Sequence, residues 1–252
     1  MKSRTFASCF FILTLVGICS CLPRIHAQSH PEFTKGNEEY SAGRFVESIQ
    51  HYNRVVQARR FSASLFYNLG NAWFRSGDLG RAILNYERAL ALEPQHPETT
   101  ANLRLVRDQA RALELRESWV ERIFPRGNAT SYSIVAAIAF WIAIFVLTET
   151  LLSRRRSRLR FSLILVSVTV FAATLFALYS LESGSKGRAL AIIVGKDIQA
   201  RLATADSSKS VLALPPGSEV NVLSVRGDWI YAALPNDLRG WIQGQAAEKV
   251  RL

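Results

Sequence analysis

Two apolar runs, SYSIVAAIAFWIAIFVLTETLL (131–152) and FSLILVSVTVFAATLFALYSL (161–181), flank the stretch SRRRSRLR (153–160). Each is close to the roughly 20 residues that a helix needs to cross the hydrocarbon core of a bilayer. Neither carries the polar stripe of a helix lying on a soluble core. The sequence therefore predicts a two-helix transmembrane hairpin, with spans 131–152 and 161–181. Its turn, 153–160, holds Arg154, Arg155, Arg156, Arg158 and Arg160. Short arginine-rich loops stay on the cytoplasmic side, so these five residues are read as a topology mark, with anionic headgroup contact as a by-product. The segments before and after the hairpin are then both expected outside the cytoplasm. Glu149, near the arginine end of the first span, reads as an interfacial carboxylate rather than a proton carrier.

The N-terminus agrees with that topology. In MKSRTFASCFFILTLVGICSCLPRIHAQ, Lys2 and Arg4 precede an apolar run over 6–18, and Ala27 marks a cleavage point, the layout of a signal peptide over 1–27. Cys9, Cys19 and Cys21 all lie inside it, so cleavage leaves a mature chain without thiol or disulfide. Lipidation at Cys21 is the alternative processing. The formal charge of +11 would suggest a nucleic-acid partner if it were concentrated. It is spread instead, with excesses of 3 over 1–27, 2 over 28–130, 4 over 131–181 and 2 over 182–252, and no nucleic-acid surface is expected.

Between leader and hairpin the chain repeats itself at a spacing of 34. KGNEEYSAGRFVESIQHYNRVV (35–56) aligns without gaps on LGNAWFRSGDLGRAILNYERAL (69–90). Gly36, Asn37, Gly43, Ile49, Tyr52 and Arg54 recur as Gly70, Asn71, Gly77, Ile83, Tyr86 and Arg88. Each unit reads as two amphipathic helices, with Gly43 or Gly77 ending the first and Ser48 or Ala82 at the close crossing. The second unit resembles a tetratricopeptide repeat through Leu69, Gly70, Ala82, Tyr86, Ala89 and Pro94. The first departs from it at Lys35 and Val55. Repeats are thus expected over 35–68 and 69–97, within a helical domain 28–124. A single long capping helix is expected over 98–123, in the register of a third repeat but with Arg104 in place of glycine.

After the linker ESGSKGR (182–188), short alternating runs separated by Pro215, Pro216, Gly217, Gly227, Pro235 and Gly240 predict an all-β unit over 188–252. The residues Gly217, Val220, Gly227, Trp229, Tyr231, Gly240 and Trp241 resemble a bacterial SH3-like domain, which implies a small closed barrel. Trp229 and Tyr231 alternate and share a face; with Trp241 they mark either a binding surface or the packing of the barrel. The fold class is therefore multidomain α plus β. It combines a tetratricopeptide-repeat α-solenoid, a transmembrane hairpin and a C-terminal SH3-like β-barrel. No enzyme is read. His26, His30, His51 and His96 lack metal-ligand spacing, no nucleophile elbow is present, and no cofactor or metal is called for.

The order of leader, repeats, hairpin and SH3-like unit resembles the BatE proteins of the bacterial aerotolerance (Bat) operon over nearly the whole mature chain. That resemblance implies an inner-membrane protein acting beside von Willebrand factor A-type membrane proteins and a MoxR-type ATPase. Two functional classes follow. One is an assembly scaffold whose extracytoplasmic repeats bind a protein partner. The other is a peptidoglycan-binding or wall-sensing module acting through the SH3-like unit. In tetratricopeptide repeats the first helix of each unit lines the groove, which carries over to Phe33, Asn37 and Tyr40 beside Tyr67, Asn71 and Phe74. An amide there can both donate to and accept from an extended peptide. The alternative is that the capping helix occupies this groove and satisfies both asparagines.

Overall fold

The computed structural model describes residues 31–116, 122–123, 129–153, 157–184 and 187–252. The predicted leader and Arg154, Arg155 and Arg156 lie outside the described residues. Five helices form the repeat region: α1 (Pro31–Ser41), α2 (Phe45–Gln57), α3 (Ala63–Arg75), α4 (Leu79–Leu92) and α5 (Pro97–Ala110). Gly43 and Gly77 take φ of +78° and +86° at the ends of α1 and α3, the left-handed conformation that lets the chain fold back. Ser62 caps α3 by accepting from the Leu65 amide at 3.1 Å, and Asp78 caps α4 by accepting from the Arg81 amide at 2.9 Å.

The period of 34 survives as packing. A Cβ on Gly36 would sit 2.5 Å from the Tyr52 ring, and one on Gly70 2.7 Å from the Tyr86 ring. Glycine is therefore required wherever that tyrosine lies across the first helix. Ser48 and Ala82 are fully buried at the crossings, and the Ser48 hydroxyl donates to the Gly36 carbonyl at 2.8 Å. Arg104, in the third glycine position, is exposed. The sequence supplies no third tyrosine, having Val120 at that offset.

The single helix expected over 98–123 is corrected. α5 ends at Ala110, Arg111 takes a left-handed conformation, and 112–116 are not helical. Packing on the sheet overrides the helical pattern there: the Leu113 amide donates to Ser218 Oγ at 3.1 Å, and the Leu113 carbonyl accepts from the Glu219 amide at 2.8 Å.

Seven strands follow the hairpin: β1 (Leu190–Ile193), β2 (Ile198–Arg201), β3 (Ser210–Leu214), β4 (Glu219–Arg226), β5 (Trp229–Ala233), β6 (Arg239–Gln243) and β7 (Ala247–Lys249). They form one antiparallel sheet in the order β3-β2-β6-β5-β4-β1-β7, bulged at Ala200/Arg201 and between Val222 and Ser224. The expected closed barrel is corrected to an open sheet. Its β7 edge is covered by α4, where Arg88 Nη2 donates to the Lys249 carbonyl at 3.0 Å, instead of by strand pairing.

β1 explains how repeats and sheet share a core. All four of its residues are buried. Leu190 and Ile192 join Ile83, Tyr86, Leu103 and Val106 of the repeats, while Ala191 and Ile193 join Val220, Ala232 and Ile242 inside the sheet. The sheet thus seals the last open face of the repeats, the role expected of a long capping helix.

The hairpin helices are α6 (Ala129–Ser153) and α7 (Arg158–Ser183), and both are long and apolar enough to cross a membrane. Their facing residues recur at alternating spacings of three and four. On α6 these are Ala136, Ala139, Ala143, Val146 and Thr150, and on α7 Ile164, Ser167, Phe171, Thr174 and Leu178. That seven-residue period keeps one seam in contact along a shallow crossing. Ala139 is buried in the seam and Ala177 is buried beside it, while Thr169 and Ala173 are exposed.

Candidate functional site

The predicted groove residues sit on α1 and α3. Asn37 Oδ1 accepts from Tyr52 Oη at 2.7 Å and from Asn68 Nδ2 at 3.0 Å. Asn71 Oδ1 accepts from Tyr86 Oη at 2.6 Å and from Asn102 Nδ2 at 3.0 Å. These are one motif repeated at 34, since Asn68 and Asn102 are themselves 34 apart. Burial raises the pKa of both tyrosine hydroxyls, so they stay protonated donors. Because an amide oxygen that accepts twice has no further lone pair, only the N–H groups of Asn37 and Asn71 remain for a ligand.

Asn37, Tyr40 and Asn71 line one cavity of about 210 Å³ together with Ser41, Tyr52 and Asn68. Phe33, Tyr67 and Phe74 are not among its lining residues. Phe33 packs against Tyr52 with ring centroids 5.8 Å apart, and Tyr67 lies between Tyr86 and His96 at 6.2 and 5.2 Å. Phe74 packs at the edge of the core shared with the sheet. Asn68 and Asn102 lie outside the repeated stretches 35–56 and 69–90, and position 34 is a threonine, so the pair recurs only between the second unit and the helix that follows it. α5 does not fill the groove. It stacks as the first helix of a further unit, with Asn102 holding Asn71 as Asn68 holds Asn37.

On the sheet, Trp229, Tyr231 and Trp241 come to one face of β5 and β6, all half-buried. The Tyr231 and Trp241 rings lie 5.0 Å apart, and Trp229 pairs with Gln243 across the strands. Trp229 also lines a cleft of about 520 Å³ with Asp206, Asp228, Gln243 and Gln245. Gln243 Nε2 donates to Asp206 at 2.9 Å across its floor. Of the predicted basic turn, Arg158 is exposed and Arg160 half-buried at the start of α7.

Repeats and sheet are tied by a buried ion cluster. Arg107 on α5 bonds Glu87 of α4 at 2.6 Å, Glu114 at 3.1 Å and Glu219 of β4, and Glu219 also accepts from the Leu115 amide at 3.0 Å. Burial works to lower the Arg107 pKa, but the Glu87, Glu219 and Glu114 carboxylates outweigh it and raise the value, so the guanidinium stays charged.

Residues 63–96 match the tetratricopeptide repeat family. That stretch covers α3, the turn at Gly77, α4 and the loop to α5, the unit with Gly70 beneath Tyr86. Tetratricopeptide repeats mediate protein–protein interaction. No curated protein matches the chain.

Proposed function

We propose that this chain is a non-enzymatic membrane scaffold. Its tetratricopeptide repeats hold an extended segment of a protein partner outside the cytoplasm. The observation that carries the reading is the cavity where Asn37 and Asn71, 34 residues apart, converge with Tyr40. Their amide N–H groups are offered to backbone carbonyls, and the Tyr40 ring supplies apolar contact. The hairpin α6–α7 anchors the scaffold in the bacterial inner membrane, with the arginine turn in the cytoplasm. The resemblance to the BatE proteins makes von Willebrand factor A-type membrane proteins and a MoxR-type ATPase system the partners of first choice.

The test is partner capture from solubilised membranes by the parent and by the double variant Asn37→Asp with Asn71→Asp. Aspartate keeps the oxygen that Tyr52, Asn68, Tyr86 and Asn102 require, and removes the free N–H donors. Capture should fall roughly tenfold or more, two hydrogen bonds being lost at about 1 kcal/mol each. Equal capture would remove the groove from the mechanism. A phosphatase fusion at Ser157 should be inactive and one at Leu252 active; activity at Ser157 would reverse the topology.

A second reading, wall contact through the SH3-like unit, is favoured by the contiguous aromatic face of Trp229, Tyr231 and Trp241 beside the Asp206 and Asp228 cleft. It predicts that Trp229→Ala leaves the fold intact and lowers sedimentation with isolated cell wall. Unchanged sedimentation would count against it.

A further inference from the structure

We propose that the hairpin is an interface between copies of this chain. Trp141 on the outer face of α6 docks onto Thr169, Ala172 and Ala173 on the outer face of α7 of a second copy, and its indole N–H donates to Thr169 Oγ. The inference rests on the reading of α6 and α7 as membrane spans and is independent of the groove.

Trp141 is the central residue of its span, Thr130–Leu152. It lies two positions from each of the seam residues Ala139 and Ala143, a spacing that turns a side chain to the opposite face of a helix, and it is 66% exposed. Tryptophan is favoured at the bilayer interfaces, where its N–H meets water and headgroups. At mid-span there is no water, and a polar hydrogen left unmatched there is costly. Threonine hydroxyls on these helices escape that cost by donating four residues back, Thr148 to the Ile144 carbonyl at 2.8 Å and Thr169 to the Leu165 carbonyl at 2.9 Å. The Trp141 N–H has no acceptor among the described residues. Its acceptor has to come from another span.

A second copy supplies that acceptor at the right depth. Phe140 of α6 and Phe171 of α7 lie side by side, with ring centroids 5.7 Å apart. From that level Trp141 is one residue and Thr169 two residues nearer the arginine turn, so at a rise of roughly 1.5 Å per residue their depths differ by about 1.5 Å. Copies inserted with the same topology keep their depths, so the match holds wherever they meet in the plane of the membrane. Thr169 also faces away from its own hairpin, two positions from each of the seam residues Ser167 and Phe171. Its hydrogen is taken by the Leu165 carbonyl, which leaves the oxygen lone pairs to accept. Shape agrees with this chemistry. Ile138, Trp141 and Phe145 raise a bulky ridge on α6, whereas Thr169, Ala172 and Ala173 leave a recess on α7, and all six are exposed. Within one copy the two faces point in opposite directions, so the contact runs from α6 of one copy to α7 of the next and is heterologous.

The experiment uses the full chain in bacterial membranes as two differently tagged copies, one carrying Ile138→Cys and the other Ala173→Cys. These positions flank Trp141 and Thr169 at equal depth and leave both in place. Oxidation should link the two tags, and should not link them when both copies carry Ile138→Cys or both carry Ala173→Cys. Trp141→Phe then removes the N–H and Thr169→Val the acceptor at nearly unchanged shape. Each should weaken association about threefold or more, read by energy transfer between labelled full-length copies diluted in lipid vesicles. The double variant should be no weaker than either alone, because both changes remove one bond. Linkage between two Ile138→Cys copies would overturn the heterologous contact, and additive losses would overturn the hydrogen bond. Absence of linkage in membranes that retain the chain would overturn the interface, Trp141 then facing lipid or another protein's span. Release of the chain by alkaline carbonate would overturn the membrane reading, and this inference with it.

Discussion

Gly36 lies beneath Tyr52 in the first repeat and Gly70 beneath Tyr86 in the second, and in each the tyrosine hydroxyl donates to the asparagine that follows the glycine. The two units nevertheless end up in different surroundings. α2 buries four residues, Ser48, Ile49, Tyr52 and Val55, whereas α4 buries eight, because β1 and β7 cover its far side. Position 35 is an exposed lysine where its counterpart Leu69 is buried. The difference teaches that the repeat lattice is local, while the amount of core that each repeat commands depends on what stacks against its second helix. The family match falls on residues 63–96, the unit in which Leu69, Gly70, Ala82, Tyr86 and Ala89 are all buried.

The largest expected effect comes from cutting the tie that only the second repeat has. Arg107→Met leaves Glu87 and Glu219 buried without their cation, and should cost about 3–5 kcal/mol. Hydrogen exchange should then accelerate in α4, α5 and β1 together and far less in α1 and α2; an effect confined to α5 would deny that repeats and sheet share one core. Next in size is alanine at the two glycines. Gly70→Ala should cost about 1–3 kcal/mol by thermal unfolding, as overpacking does in a closed core. Gly36→Ala should cost less, because Tyr52 sits in the smaller cluster at the end away from the sheet and can move. Equal costs would mean that the sheet does not stiffen its neighbour.

Smaller again is removal of the ladder hydroxyls. Tyr86→Phe and Tyr52→Phe should each lose about 1 kcal/mol, since Asn71 and Asn37 keep their bonds from Asn102 and Asn68. The smallest effect belongs to the first repeat alone. Glu32 accepts from His51 at 2.8 Å and from Arg54 at 3.0 Å, and these bonds, with His51 the larger cause, depress its pKa from 4.5 to about 2. A carboxylate with a depressed folded value contributes stability that is present above pH 4.5 and lost as pH falls from there toward 2. Amide exchange at the α1–α2 contact should therefore rise over that interval in the parent and stay flat in Glu32→Gln. A matching rise in Glu32→Gln would assign the acid response elsewhere.

Much of the helical architecture was legible because its causes are local. Gly43 and Gly77 announce helix ends through a conformation that glycine adopts most cheaply, and the 34-residue recurrence of Gly, Asn and Tyr announces a shared packing unit. The apolar runs announce helices of spanning length. The role of Asn37 and Asn71 was half legible: their duplication pointed to the groove, but the use of both carbonyls by Asn68 and Asn102 required the stacking of successive units. The end of α5 at Ala110 was not legible, since the apolar spacing beyond it continues to fit a helix until Ser218 and Glu219 claim the backbone of Leu113.

The sequence by itself determined which segments are helix and strand, the end of α5 excepted, where the repeat period falls, and that two helices are apolar on every side. Each of these depends on residues within a few turns of one another, whose preferences add up along the chain. Tertiary structure alone decided that the sheet stays open, that its β1 strand divides its four residues between two cores, and that one arginine holds two buried carboxylates from different halves of the chain. Arg107 and Glu219 are 112 residues apart, and no local pattern encodes a partner at that distance. The pairing arises only once the unfinished apolar face of the second repeat meets an uncovered sheet edge. Burial of both surfaces then drives together charges that must be matched as water leaves.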